Sequence, residues 1–134
     1  MNYEKFLREH HLKVTPQRLG ILSLMHNAGH ISVDDLYVRI KKQFSSISLA
    51  TLYKNINAML DSRIITEVKI PNAKQKYEIV KAPHIHLLCQ KCKEFLDLEL
   101  NLEGLINEAS QQSHYEIEES NIILSGLCKR CQED

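Results

Sequence analysis

Apolar positions recur at helical spacing through the first sixty residues and then at alternate positions, so the chain reads as helices followed by short strands. Phe6 and Leu7 lie in a polar stretch that predicts a short helix from Asn2 to about His11. Thr15 offers an N-cap with Pro16 at the first helical position; Leu19, Leu22 and Met25 then form an apolar stripe that Gly29 stops. Ser32 opens a third helix, with Asp35 as a shorter stand-in for the Glu of a capping box and Leu36, Tyr37 and Ile40 facing inward. Ser48 opens a fourth, whose stripe is Leu49, Leu52, Ile56, Met59 and Leu60. Ile64 to Ile70 is rich in β-branched residues, Pro71-Asn72-Ala73-Lys74 turns the chain, and Lys76 to Val80 pairs back. Helices two to four with this hairpin make a winged helix-turn-helix, and the first helix extends it.

Lys81-Ala82-Pro83 is the expected hinge, because Pro83 holds Ala82 extended. Beyond it the pattern predicts a strand through His86 to Cys89, a turn, a strand from Glu94 to Leu98, a helix from Leu102 to Gln112 and a strand from Ile117 to Leu124. The fold class is α+β: a winged helix-turn-helix over 1–80, a hinge at 81–83 and a small α/β domain over 84–134.

Charge reinforces this division. The net charge of the 134 residues is zero, yet residues 1–80 hold twelve Lys/Arg against seven Asp/Glu (+5), and residues 81–134 hold five against ten (−5). The first half suits a polyanion such as double-stranded DNA; the second does not. The start, MNYEKFLREHHLK, lacks the apolar core of a signal peptide, and no run approaches the ~20 apolar residues of a membrane span. A cytoplasmic, thiol-reducing setting is expected, which favours metal over disulfide.

The chemistry concentrates in the second half. Cys89/Cys92 and Cys128/Cys131 account for every cysteine and form two Cys-x-x-Cys pairs. Such spacing lets both sulfurs of a turn reach one tetrahedral Zn²⁺ at about 2.3 Å; disulfides or a redox pair are the alternatives. His84 and His86 share one face of a strand, as a chelate requires, and Glu78 and Asp97 are candidate carboxylates for a second ion such as Fe²⁺, Mn²⁺ or Zn²⁺. His30, taken alone, reads as a loop residue. On the fourth helix, Ser48, Thr51, Tyr53, Lys54 and Asn55 form the expected exposed face for phosphates and base edges. A zinc enzyme is disfavoured: Ile85-His86 follows His84 and Leu88 precedes Cys89, so neither the His-x-Glu nor the Pro-Cys-x-x-Cys of a deaminase is present. A zinc-stapled interaction module without DNA binding is the other rival.

Three segments, Lys13-Val-Thr-Pro-Gln-Arg18, Ile47-Ser-Leu-Ala-Thr-Leu-Tyr-Lys-Asn55 and His84-Ile-His-Leu-Leu-Cys-Gln-Lys-Cys92, resemble in order and spacing the signature segments of the ferric uptake regulator family. The likeness runs from about Leu12 to Cys131. It implies a metal-dependent, homodimeric repressor rather than an enzyme, with the C-terminal domain as the dimerisation lobe and an inverted-repeat operator. It further implies structural zinc at Cys89, Cys92, Cys128 and Cys131, and an iron or manganese regulatory site of His30, Glu78, His84, His86 and Asp97 across the hinge. Lys13 and Arg18 join the expected DNA contacts. Within the family, Asp rather than Glu at Asp97 resembles the peroxide-sensing branch, as do Pro83, Ile85 and Ser120 where iron sensors often place further ligands. In that branch His30 and His84 are the expected oxidation targets. Glu78 instead matches the iron-sensing branch, and Lys93 replaces the usual Gly after the second cysteine.

Overall fold

The computed structural model describes residues 1–133 and divides into two compact units, one ending at Val80 and the other beginning at Lys81. In the first unit, α1 (Tyr3–Glu9), α2 (Pro16–Ala28), α3 (Val33–Ile40) and α4 (Leu49–Asp61) precede a hairpin of β1 (Ile65–Val68) and β2 (Lys76–Ile79). The side chains of Asn2, Thr15, Ser32 and Ser48 each accept a backbone N–H three residues on, so four helices begin at side-chain caps. The core is apolar and continuous: Leu7, Ile21, Leu22, Met25, Leu36, Ile40, Leu52, Ile56 and Met59 are fully buried in one cluster with Ile64 and the hairpin residue Ile65.

Two expectations shift here. Ile21 joins the buried stripe of α2, whereas Leu49, at the first turn of α4, stays 42 % exposed. The α4 stripe is Leu52, Asn55, Ile56 and Met59, at i, i+3, i+4 and i+7, which puts an amide on the inner face. The wing is antiparallel, with Thr66 opposite Glu78 and Val68 opposite Lys76. Its turn is tied to α3 by the Lys74–Asp34 ion pair.

The second unit holds β3 (Ile85–Cys89), β4 (Phe95–Leu98), α5 (Glu103–Ser113), β5 (Ile123–Gly126) and a single turn, α6 (Lys129–Gln132). The sheet order is β4-β3-β5, antiparallel on one side of β3 and parallel on the other. The expected strand from Ile117 to Leu124 is corrected: residues 117–122 are irregular, and β5 starts only where the chain reaches β3, with Ile123 opposite His86. Ile117 and the run Ile122-Ile123-Leu124 suggest one strand, but Ile117, without a neighbouring strand to pair with, does not belong to it.

Gly29 ends α2 with φ +78° and ψ −64°, a conformation that L side chains avoid, while a Cβ there would meet nothing within 4 Å. Gly29→Ala therefore isolates backbone strain from packing. It should lower stability by about 1–3 kcal/mol, read as a lower urea midpoint at unchanged slope.

Candidate metal centres and nucleic-acid interface

The sulfur site is built by two turns. In the first, Cys89 N–H donates to Glu94 O at 2.9 Å and Lys93 N–H to Cys89 O at 2.9 Å. Lys93 accepts the left-handed conformation (φ +67°) that the absent glycine would have taken, so the turn closes without it. In the second, Cys128 is the N-cap of α6 and Cys131 lies within that turn. The parallel pairing of β5 with β3 puts Gly126 opposite Cys89 and so brings the turns together. All four Sγ atoms lie within 4.8 Å of one another, and Cys92 and Cys128 are 3.8 Å apart. A tetrahedron with metal–sulfur bonds of about 2.3 Å has edges of about 3.8 Å. All four thiols are free rather than paired in disulfides, and the set fits a structural Zn²⁺.

Backbone N–H groups tune these thiols. The Cys128 N–H, 3.4 Å from the Cys89 sulfur, and then that of Cys92 hold the Cys89 thiol down to about 5. The Cys131 N–H, ahead of its thiol, lowers Cys128. Cys131 is pushed up to about 12, first by its hydrogen bond with the Cys128 sulfur and then by desolvation. Several thiolates cannot gather here without a cation to neutralise them.

The imidazole donors follow from strand register. His86 pairs with Asp97 across β3 and β4, and His84 precedes it by two residues on the same face. His84 Nε2 and His86 Nε2 are 3.1 Å apart, and Asp97 Oδ1 is 3.3 Å from His86 Nε2 and 3.9 Å from His84 Nε2. The Nδ1–H of His84 donates to Ala82 O at 3.1 Å, which turns Nε2 inward as an acceptor. His86, buried, stacks on Phe95 at 4.9 Å with an interplanar angle of 10°. Two Nε2 atoms facing one another beside a carboxylate share either a proton or a metal ion.

In the first unit, an isolated bridge between Ile31 and Tyr77, with hydrogen bonds of 3.0 and 2.8 Å, carries the chain after Gly29 alongside β2. His30 is thereby set next to Glu78, with Nε2 3.5 Å from Oε2 and both side chains at least seven-eighths buried. No local signal marks His30, because its partner lies 48 residues away in sequence and is reached only through the bridge.

On α4, Ser48, Tyr53 and Lys54 are exposed and Thr51 is half-buried. Ser48 Oγ accepts from Thr51 N at 3.1 Å and donates to Thr51 Oγ1 at 2.9 Å. The placement of Asn55 on the exposed face is corrected. It is 9 % exposed, accepts from Arg18 Nε at 3.0 Å and donates to Thr51 O at 3.1 Å. Arg18 also donates to Lys13 O at 2.9 Å, while the Lys13 side chain is exposed. Arg18 and Asn55 thus form an internal strut between the start of α2 and α4, a role that residue type alone did not disclose.

The opposite face of the second unit's sheet aligns Leu96, Leu87 and Leu124 in one row. Leu96, Leu98, Leu100, Leu105, Leu124 and Leu127 remain 39–55 % exposed. No helix among the described residues is long and apolar enough to cross a membrane.

A capped recognition helix and wing in one unit, with sulfur and imidazole donors in the other, divide the work as a metal-dependent winged-helix transcription regulator does. The sequence profile of the Ferric uptake regulator family matches residues 9–125, and the chain belongs to that family, whose members are dimeric DNA-binding repressors. It is 26 % identical over 127 residues to the peroxide operon regulator of Bacillus subtilis (strain 168), a match that covers 93 % of this chain and 88 % of that one. The crystal structure of the Campylobacter jejuni peroxide stress regulator is similar, with 33 % identity, a TM-score of 0.79 and coverage of 98 % of this chain and 100 % of that one. The Vibrio cholerae ferric uptake regulator gives 27 % identity and a TM-score of 0.74, covering 95 % of this chain and 100 % of that one.

Two outcomes follow. Arg18→Met removes the donor from a buried amide oxygen and should cost about 1–3 kcal/mol, measured by urea denaturation; a loss below about 0.5 kcal/mol would contradict the strut. For the sulfur site, Cys131 is a thiol at neutral pH, so Zn²⁺ binding must release its proton. The depressed Cys89 works the other way: its contribution is full above the ordinary thiol range and is lost as pH falls through about 5. Calorimetry in two buffers of different ionisation enthalpy should show proton release at pH 7, and zinc affinity should weaken as the solution is acidified, because protons compete for the sulfurs.

Proposed function

We propose that this chain is a homodimeric transcriptional repressor that senses peroxide through a divalent metal and reads a DNA operator of inverted-repeat symmetry. The observation that carries the reading is the cluster of His84, His86 and Asp97, whose donor atoms converge within one small sheet. Two imidazoles and a short carboxylate suit Fe²⁺ or Mn²⁺, whereas the four sulfurs suit zinc. By family resemblance His30 and Glu78 would supply further nitrogen and oxygen donors to that ion. Family resemblance and the named peroxide regulators among its relatives support this reading.

The chain's residues act in sequence. His84, oriented by Ala82 O, and His86, held by Phe95, present their Nε2 atoms together with Asp97 Oδ1. Engagement of His30 and Glu78 with the same ion fixes the recognition helices for an operator read by Ser48, Thr51, Tyr53, Lys54 and Lys13. Moving such an equilibrium from 1:99 to 99:1 takes about 5.5 kcal/mol of differential affinity. Iron, when bound, supplies the reduction of peroxide beside these imidazoles. His30 or His84 would take one oxygen of the peroxide while the other leaves as water; the oxidised ring would ligate poorly and the repressor would release its DNA. Cys89, Cys92, Cys128 and Cys131 stay closed around zinc throughout, and a second copy covers the exposed leucine face. Oxidation occurs once per protein rather than with turnover, so no enzymatic activity is assigned. A reducing cytoplasm, in which thiols stay available to a metal, is the setting this reading calls for.

A second reading, an iron-responsive uptake regulator, is favoured by one residue, Glu78, which by family resemblance matches the iron sensors.

The test starts with duplexes selected from a random pool by the metal-loaded protein. Binding to these with Fe²⁺ or Mn²⁺ is measured before and after low peroxide, followed by peptide mass spectrometry. Loss of binding only with Fe²⁺, with one oxygen added on His30 or His84, is the expected result. Binding that survives peroxide but tracks free Fe²⁺ would replace it with the iron-responsive reading. Cys89→Ser should unfold the second unit and abolish dimerisation, seen as loss of zinc and a monomeric mass in light scattering.

A further inference from the structure

The two oxygens of Asp97 are used differently. Oδ1 faces the Nε2 atoms of His86 and His84, whereas Oδ2 accepts from the Lys81 ammonium at 2.5 Å. Lys81 stands one residue before Ala82, whose carbonyl orients His84. The short segment entering β3 thus supports two of the donors at once, one through its backbone and one through a side chain.

We propose that Lys81 is a positioning residue that fixes which ions the regulatory site prefers, by holding Oδ2 and leaving Asp97 a single oxygen to offer. The inference rests on the reading that His84, His86 and Asp97 ligate a divalent ion. A carboxylate with both oxygens free can rotate to chelate through both; with Oδ2 held by an ammonium it is a one-atom donor in a set orientation. Chelation by oxygen benefits most an ion that favours carboxylates, such as Mn²⁺, and least an ion whose binding is dominated by imidazoles, such as Co²⁺ or Fe²⁺. Lys81 therefore tilts the site away from Mn²⁺. Its charge also weakens binding of every divalent ion, but to a similar extent for each, so the ratio of two affinities isolates the positioning effect from the charge effect.

The experiment titrates the zinc-loaded dimer with Co²⁺ and, separately, Mn²⁺, for the natural chain, Lys81→Leu and Lys81→Arg, with zinc content and circular dichroism as checks on folding. In Lys81→Leu the ratio of Co²⁺ to Mn²⁺ affinity should fall roughly tenfold. The visible absorption of bound Co²⁺ should weaken at the same time, as an added carboxylate oxygen raises its coordination number. Lys81→Arg, which keeps a donor on Oδ2, should restore both. If the natural chain binds neither ion beyond its zinc, the metal reading itself falls. If it binds both but Lys81→Leu leaves ratio and spectrum unchanged, or tightens both ions equally, the metal reading stands and the role of Lys81 is overturned.

Discussion

Three buried apolar side chains, Ile85, Cys89 and Leu102, are all that the described residues of the second unit contribute to a core, against seventeen in the first. So small a core cannot offset the entropy of ordering some fifty residues. The sulfur cluster is therefore the constraint on which that unit depends. Zinc joins the end of β3 to the turn after β5, and β5 pairs with the sheet only along β3, at one end of which both turns lie. Since the register of β3 also places His86 opposite Asp97, the staple and the second donor set share one strand. The same shortage explains the leucine face: side chains that cannot be buried inside so thin a unit are left for a partner surface, as in a dimeric family.

The first unit solves the opposite problem. Its core is ample, and what it must supply is placement. Four side-chain caps fix where helices begin, and the Arg18–Asn55 strut sets the start of α2 against α4. The strut also explains why an amide occupies the inner stripe of the recognition helix. All its strong hydrogen-bonding capacity that faces inward is met by Arg18 and by Thr51 O, so burial of the polar group carries little penalty. The exposed face is left to Tyr53 and Lys54, together with Ser48, which also caps the helix.

What could be read from the chain beforehand was what is local. Thr15, Ser32 and Ser48 are caps because a hydroxyl three residues before an orphan N–H has one obvious use, and Pro16 and Gly29 bracket α2 for equally local reasons. The cysteine pairs and the His-x-His were legible because turn and strand geometry fix distances over two or three residues. Long-range pairing was not. The convergence of His30 on Glu78 depends on the Ile31–Tyr77 bridge, and the true extent of β5 depends on where β3 offers a free edge. Asn55 was misplaced because residue polarity outweighed helical phase; counting i, i+3, i+4 and i+7 from Leu52 puts it inside. Lys81 gave no signal of this role, since a lysine within an expected hinge looks like a solvated charge until β4 brings Asp97 to it.

The two donor sets also have to remain distinct when both metals are present, and their chemistry accomplishes this without a barrier between them. Irving–Williams preference alone would let zinc displace iron or manganese at any nitrogen–oxygen site, so selectivity has to come from donor type and geometry. Four sulfurs, with Cys89 and Cys128 already inclined to ionise, form much the stronger sink for zinc and remove it first. The imidazole–carboxylate set, which has no sulfur, competes for zinc less strongly. On this argument the structural site is more than a staple: by holding zinc on sulfur, it leaves the nitrogen–oxygen donors to the weaker ions whose concentration or redox state changes.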